Sequence, residues 1–211
     1  MCYNYAIKAA KQEIEERYNA TFYYDEDDEP LFLDIHANGF THLKMPVITN
    51  KEPDKIQLFN WGLIPFFAKD TDSAKQLAKM CLNAMHETIY EKPSFRDSAT
   101  HKRCLIPATS FTEWQWTDLK NPKCKKIKYE IGLSNQLFSF AGLWSEWTNK
   151  ESGEIIETFT IVTTAANELM TDIHNTKKRM PFILRPDQEA AWLNGEQIEV
   201  EMHLPLHAIA A

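Results

Sequence analysis

Cys104-Leu105-Ile106-Pro107-Ala108-Thr109-Ser110-Phe111-Thr112-Glu113-Trp114 carries a single charge, Glu113, in a run of β-branched, aromatic and small residues. The segment reads as two short strands, 104–107 and 110–116, and the same texture returns at 127–132, 137–144 and 156–164. Upstream, strand-like runs stand at 31–35, 45–49 and 56–61, and an acidic loop ending at Pro30 precedes them. Helical spacing is sparse. Ile7, Ala10, Ile14 and Tyr18 predict a helix over 5–18, a polar helix covers 72–80, and Asn83 to Tyr90 continues as a second helical segment. A short helix follows over Ala165 to Asp172, and Arg185-Pro186-Asp187 opens another that runs to about Leu193. Many strands, few helices and no βαβ alternation give the α+β class: one domain over 1–211, its mainly antiparallel sheet curled and barrel-like and flanked by short helices.

Composition bounds the function. Hydrophobic residues make up 44% and charged residues 25%, as in an ordinary globular chain. No apolar run approaches the ~20 residues that span a bilayer, so no membrane is expected. The four cysteines lack CxxC spacing, which speaks against a zinc ribbon or disulfide scaffold and for a reducing, cytoplasmic compartment. No GxGxxG, Walker loop or HExxH occurs, so neither a nucleotide cofactor nor a metal is expected. The net charge of −7 is unevenly placed. Lys75 to Lys128 holds 11 Lys and Arg against 5 Asp and Glu, a balance of +6, which leaves −13 for the rest, much of it in Asp25–Glu29. That asymmetry fits a positive face able to hold an anionic polymer, or equally a solvated lysine face.

Chemistry concentrates at few positions. Cys2 directly follows Met1, and removal of Met1 would leave a free α-amine and a thiol on adjacent carbons. Such a 1,2-aminothiol condenses with an aldehyde to a Schiff base, and its sulfur then closes a thiazolidine ring. On position alone an incidental thiol is the commoner case. Glu113, among apolar neighbours, has the setting that raises a carboxyl pKa toward neutrality, unless it faces water. His174, close to Lys177-Lys178-Arg179 and Met180-Pro181, is placed for proton transfer beside a cationic phosphate seat, or is a turn histidine. Asn83 offers both a donor and an acceptor, as a helix cap also would. Glu87 lies one turn on if the segment is helical. Arg96 suits a phosphate, though an isolated surface arginine is the commoner case. Trp61-Gly62-Leu63-Ile64-Pro65-Phe66-Phe67 is either core or a set of stacking rings for unpaired bases.

Taken in order, these segments resemble the SRAP family, the SOS response-associated peptidases or abasic-site processing proteins. The resemblance rests on Met1-Cys2, Trp61-Gly62-Leu63-Ile64-Pro65, Asn83-Ala84 with Glu87, Ser94-Phe95-Arg96 and Arg103–Ala108. It continues through Phe111 with Glu113-Trp114, Phe140–Trp144, Thr163–Asn167, and His174 with Arg179-Met180-Pro181. It implies a barrel-like α+β domain with a positive groove for single-stranded DNA. Separately from the resemblance, a monomer is expected. The resemblance further implies that Met1 is removed, that Cys2 crosslinks the aldehyde of an abasic site, and that Asn83 holds the adduct. Glu113 and His174 would manage protons. Arg96, Arg179 and the basic stretches, with Trp61, Pro65, Met180 and Pro181, would contact DNA. The sequence departs from the family pattern at Tyr3 and Asn4, at Met85 and His86, at Phe67 and at Thr109-Ser110. Two readings stay beside this one: a cysteine peptidase or N-terminal-nucleophile amidohydrolase built on the same residues, and a non-catalytic binder of single-stranded nucleic acid.

Overall fold

The structure, a computed structural model, describes residues 2–23, 32–134 and 136–211. The acidic run Asp25–Glu29 and Met1 lie outside the described residues. In chain order the elements are β1 (Asn4–Ala10), α1 (Lys11–Tyr18), β2 (Thr21–Phe22), β3 (Phe32–Asn38), β4 (Lys44–Thr49) and β5 (Lys55–Trp61). Then come α2 (Thr71–Met80), β6 (Asn83–Met85), α3 (Arg96–His101), β7 (Arg103–Ala108), β8 (Ser110–Trp116), β9 (Lys126–Gly132) and β10 (Phe138–Thr148). The chain finishes with β11 (Ile155–Ala165), α4 (Glu168–Ile173), β12 (Arg179–Pro181), β13 (Ile183–Leu184), α5 (Pro186–Leu193) and β14 (His207–Ala210).

The long strands β10 and β11 pair antiparallel over seven residues, Gly142 with Ile161 through Thr148 with Ile155. β7, β4 and β5 follow in that sheet, and β5 returns to β11 in parallel at Asn60–Thr158 and Trp61–Phe159. Five strands therefore close on themselves, as the expected barrel requires, and closure leaves that ring without a free edge. A second sheet, in the order β14-β9-β8-β1-β3, packs beside it. The barrel is filled by Phe59, Trp61, Phe140 and Phe159, with Tyr5 and Phe111 reaching in from the second sheet. The Tyr5 ring meets Trp61 at 5.1 Å and Phe140 at 5.7 Å between centroids, both edge to face. Each large ring removed from water contributes about 1.5–3 kcal/mol, so these aromatics weld the two sheets together.

Two helical expectations fail. Residues 5–10 form β1, not the start of a helix: Asn4 through Ala10 pair with Asn38 through Phe32 in unbroken register, and Tyr5 and Ala6 also pair with β8. The spacing of Ile7, Ala10 and Ile14 mimics a helix because a strand flanked on both sides buries residues on both of its faces. Helix begins only at Lys11, where the good formers Lys, Gln and Glu start, and ends at Asn19 in the left-handed region. Asn83 to Tyr90 is likewise not a helix. Asn83–Met85 pairs in parallel with Ile161–Thr163 and is followed by a 3-10 turn over His86–Thr88. Burial of Ala84 against β11 overrides the local helical preference of this stretch.

Candidate active site

Cys2, Asn83, Glu113 and His174 come from four separate places in the chain and are linked pairwise: Asn83 to Cys2, Cys2 to the Glu113 charge, and Glu113 to His174. Cys2 sits just before β1 and is fully buried. Its carbonyl accepts a hydrogen bond of 2.8 Å from Asn83 Nδ2, so β6 grips the backbone at the N-terminus. The Asn83 Oδ1 is buried, with no hydrogen-bond partner among the described residues. This leaves a buried acceptor on the residue that grips Cys2, which an N–H or O–H of a reacting group could satisfy. The Cys2 thiol makes a long contact of 3.5 Å to the carbonyl of Asn4. Burial pushes its pKa well above the ordinary thiol value, and the nearby Glu113 charge pushes it the same way. The sulfur is therefore a neutral thiol at rest, and something must take its proton before it can attack.

Glu113 belongs to β8, opposite Tyr129 of β9, and is only 5% exposed. Burial raises its carboxyl to about 7, the range in which a proton can be both given and taken near neutral pH. His174 caps the end of α4, its N–H donating to the carbonyl of Met170 at 2.8 Å. Its Nδ1–H donates to the Arg179 carbonyl at 2.7 Å, which directs Nε2 to within 3.9 Å of Glu113 Oε2. Burial lowers the imidazole pKa, which favours the neutral ring. The 2.7 Å contact to a carbonyl, which can only accept, puts the proton on Nδ1 and outweighs the longer 3.4 Å approach of the Arg179 N–H to the same nitrogen. The carboxyl and imidazole line an open cleft of about 400 Å³ with Tyr3, Trp114, Trp116, Lys126 and Thr176. A neutral imidazole, a carboxyl poised between its two states, and a neutral thiol within the field of that carboxyl are a set of groups suited to addition and dehydration at a carbonyl.

The residues expected on DNA divide. Arg96 is exposed at the start of α3. Trp61 is not a stacking platform: its ring is fully enclosed by the barrel, and its Nε1 donates to the Leu82 carbonyl at 2.9 Å. Gly62, which follows it at φ 125°, lets the chain pass between His42 and Ala78, where a Cβ would come within 2.7 Å of His42 Nδ1. Pro65, Met180 and Pro181 are also buried. The exposed rings of that loop are instead Phe66 and Phe67, 63% and 43% accessible and edge to face at 5.7 Å. Arg179 is not held out for a phosphate. Its two terminal nitrogens bond both oxygens of Glu87, at 2.6 and 2.9 Å, and one also donates to the Thr163 carbonyl at 2.7 Å.

Sequence reasoning missed two features. Lys126 lies 4.3 Å above the Trp116 ring at the mouth of the cleft, a cation and a π face side by side. The alternation of Trp114 and Trp116 along β8 was the available signal. The Glu87–Arg179 pair spans 92 residues of sequence and left none. A larger cavity, about 570 Å³, lies between α2 and the β5–β11 junction and contains none of the four residues. Among the described residues no cluster of His, Cys, Asp or Glu converges as a metal site would, and no helix is long and apolar enough to cross a membrane.

Comparison with known proteins gives matches along most of the chain. Residues 1–209 match the family described as SOS response associated peptidase (SRAP). The abasic site processing protein YoqW of Bacillus subtilis is 41% identical over 155 residues, 74% of this chain and 64% of that protein. The abasic site processing protein HMCES of Pongo abelii is 29% identical over 170 residues, 69% of this chain and 47% of its own. The chain thus spans less than two thirds of the length of these curated relatives. A crystal structure of a protein from Bacteroides thetaiotaomicron superposes with a TM-score of 0.85 at 34% identity, covering 99% of this chain and 91% of that one.

Proposed function

Since the chain belongs to the SRAP family, we propose that it captures abasic sites in single-stranded DNA through Cys2 once Met1 has been removed. The observation that carries this reading is the clamp on the Cys2 backbone by Asn83 beside the Glu113–His174 pair at an open cleft. The freed α-amine of Cys2 attacks the ring-opened aldehyde carbon of the sugar, and the resulting carbinol loses water to give an imine. The thiol then adds across the C=N bond: sulfur bonds carbon, and the thiol proton ends on nitrogen, closing the thiazolidine. Glu113 in its protonated form assists opening of the sugar ring and loss of hydroxide as water. Its carboxylate, or His174 Nε2, takes the thiol proton in the second step and passes it to the ring nitrogen. Asn83 Oδ1 accepts from the nitrogen as the ring forms. The names of the relatives support the abasic site as substrate. The exposed Phe66 and Phe67 and the Lys126–Trp116 pair support an unpaired strand, whose bases are free to stack.

Mature protein mixed with an abasic single-stranded oligonucleotide is expected to yield a heat-stable, gel-shifted adduct that Cys2→Ala abolishes. An adduct that persists in Cys2→Ala sinks the proposal. The family description favours a second reading, peptide-bond hydrolysis by the same residues, of which removal of Met1 would be a limited form. Turnover of a peptide in trans, with no reaction toward the aldehyde, would select it. A binder without chemistry would show salt-sensitive affinity indifferent to Cys2→Ala.

A further inference from the structure

We infer that Glu87 is a positioning residue for His174, acting through Arg179; the inference rests on the reading of His174 as a proton carrier. β6 and β12 flank β11 on opposite sides, Met85 and Pro181 both standing beside Thr163. Glu87, in the turn after β6, reaches past the end of β11 and takes both terminal nitrogens of the Arg179 guanidinium, at 2.6 and 2.9 Å. The same guanidinium donates to the Thr163 carbonyl at 2.7 Å, so its position is fixed from two directions. This two-point grip on the start of β12 holds the Arg179 backbone, whose carbonyl accepts Nδ1–H of His174 at 2.7 Å. The loop between them is tight. Lys178 adopts the left-handed region at φ 50°, and its N–H returns to the His174 carbonyl at 2.9 Å.

The consequence is chemical. A neutral imidazole with its proton on Nδ1 presents Nε2 to Glu113 as an acceptor; with the proton on Nε2 it would present a donor and could not take the thiol proton. Carboxylate and carbonyl partners behind a reacting histidine select its tautomer in this way. Here the partner is a carbonyl, and the ion pair one step further out keeps that carbonyl in place. The segment 83–87 therefore supports both halves of the site, Asn83 on the Cys2 backbone and Glu87 behind the imidazole.

The test reads the tautomer directly. Protein labelled with ¹⁵N in the histidine rings is examined by long-range ¹H–¹⁵N correlation at neutral pH, with the His174 signal assigned by its loss in His174→Gln. The wild type is expected to show protonated Nδ1 and bare Nε2. Glu87→Ala is expected to move His174 toward the Nε2-protonated form and to slow adduct formation on abasic single-stranded DNA by about tenfold, the scale for losing a group that orients a functional histidine. Glu87→Gln keeps the shape and one acceptor oxygen and should fall between; it replaces Glu87→Ala if that variant does not fold. An unchanged tautomer in the variant overturns the inference, whatever the rate does. A wild type that forms no adduct overturns the capture reading instead, and the tautomer result still decides the role of Glu87.

Discussion

At the scale of the residue, Glu113 has the most to tell. Its folded pKa of about 7 stands above the ordinary value of about 4.3, because burial penalises the charged form. A raised carboxyl costs stability in the following sense. Below the unfolded pKa both states are protonated and nothing is lost. As pH rises past it, the unfolded chain ionises freely while the folded one resists, and the deficit is complete once pH exceeds the folded value. Glu113→Gln should therefore match wild type in stability near pH 4 and exceed it by about 1–3 kcal/mol at pH 8, with a higher melting temperature there. Thermal unfolding across that range checks it, and a constant difference would mean that Glu113 is not held protonated. Adduct formation should respond in the opposite sense. If the protonated carboxyl opens the sugar ring, the wild-type rate falls as pH climbs through about 7, and Glu113→Gln is slow at every pH and lacks that limb. A buried carboxyl that weakens the fold is the kind of broken local rule expected where a site serves chemistry.

At the scale of the element, the long strands were legible and the short ones near the site were not. The strands at 44–49, 55–61, 103–108, 110–116 and 155–165 are dense in apolar, aromatic and β-branched residues, and each lies within a residue or two of where that texture placed it. β1 and β6 carry no such autonomous signal. Each is a strand because a neighbour offers a hydrogen-bonded edge, β3 and β8 for the one and β11 for the other. They are also the strands that bring Cys2 and Asn83 together, so the local pattern misjudged the two segments on which the site is built. The same dependence on neighbours appears in β10, where Gly142 faces β7. A Cβ there would come within 2.7 Å of both Cys104 Sγ and Ile106 Cδ1. Both atoms belong to buried side chains of the barrel wall, so neither has space to withdraw into. Gly142→Ala is expected to cost about 1–3 kcal/mol in chemical denaturation, the range for overfilling a packed core. An unperturbed midpoint would show that β7 and β10 can separate without loss.

At the scale of the whole molecule, the charge map predicted a polarity that the fold makes specific. The excess of +6 between Lys75 and Lys128 does not form one patch. Part of it lies on α2, where Lys75 and Lys79 line the larger cavity, and part is the exposed row Lys123, Lys125, Lys126 and Lys128 leading along β9 to the cleft lined by Glu113 and His174. Arg103, counted in that excess, is enclosed: it donates to the carbonyls of Ala99, Trp192 and Glu196 and lies over the Trp192 ring, so it neutralises no phosphate. Sequence alone could not separate a buried structural arginine from a surface lysine, and the formal count overstates the groove. The β9 lysines should carry the non-covalent, sequence-independent part of DNA binding. For single strands log K falls with log salt at about 0.7 per phosphate neutralised. Lys126→Gln with Lys128→Gln should flatten that slope by about 1.4 in a titration of intact, unreacted oligonucleotide, while Lys75→Gln with Lys79→Gln reports whether the strand extends to the second cavity. If neither pair alters the slope, the polymer follows some other face of the molecule, and the cleft at Glu113 and His174 would have to be approached from the side of Tyr3 and Phe40, whose stacked rings lie 5.0 Å apart.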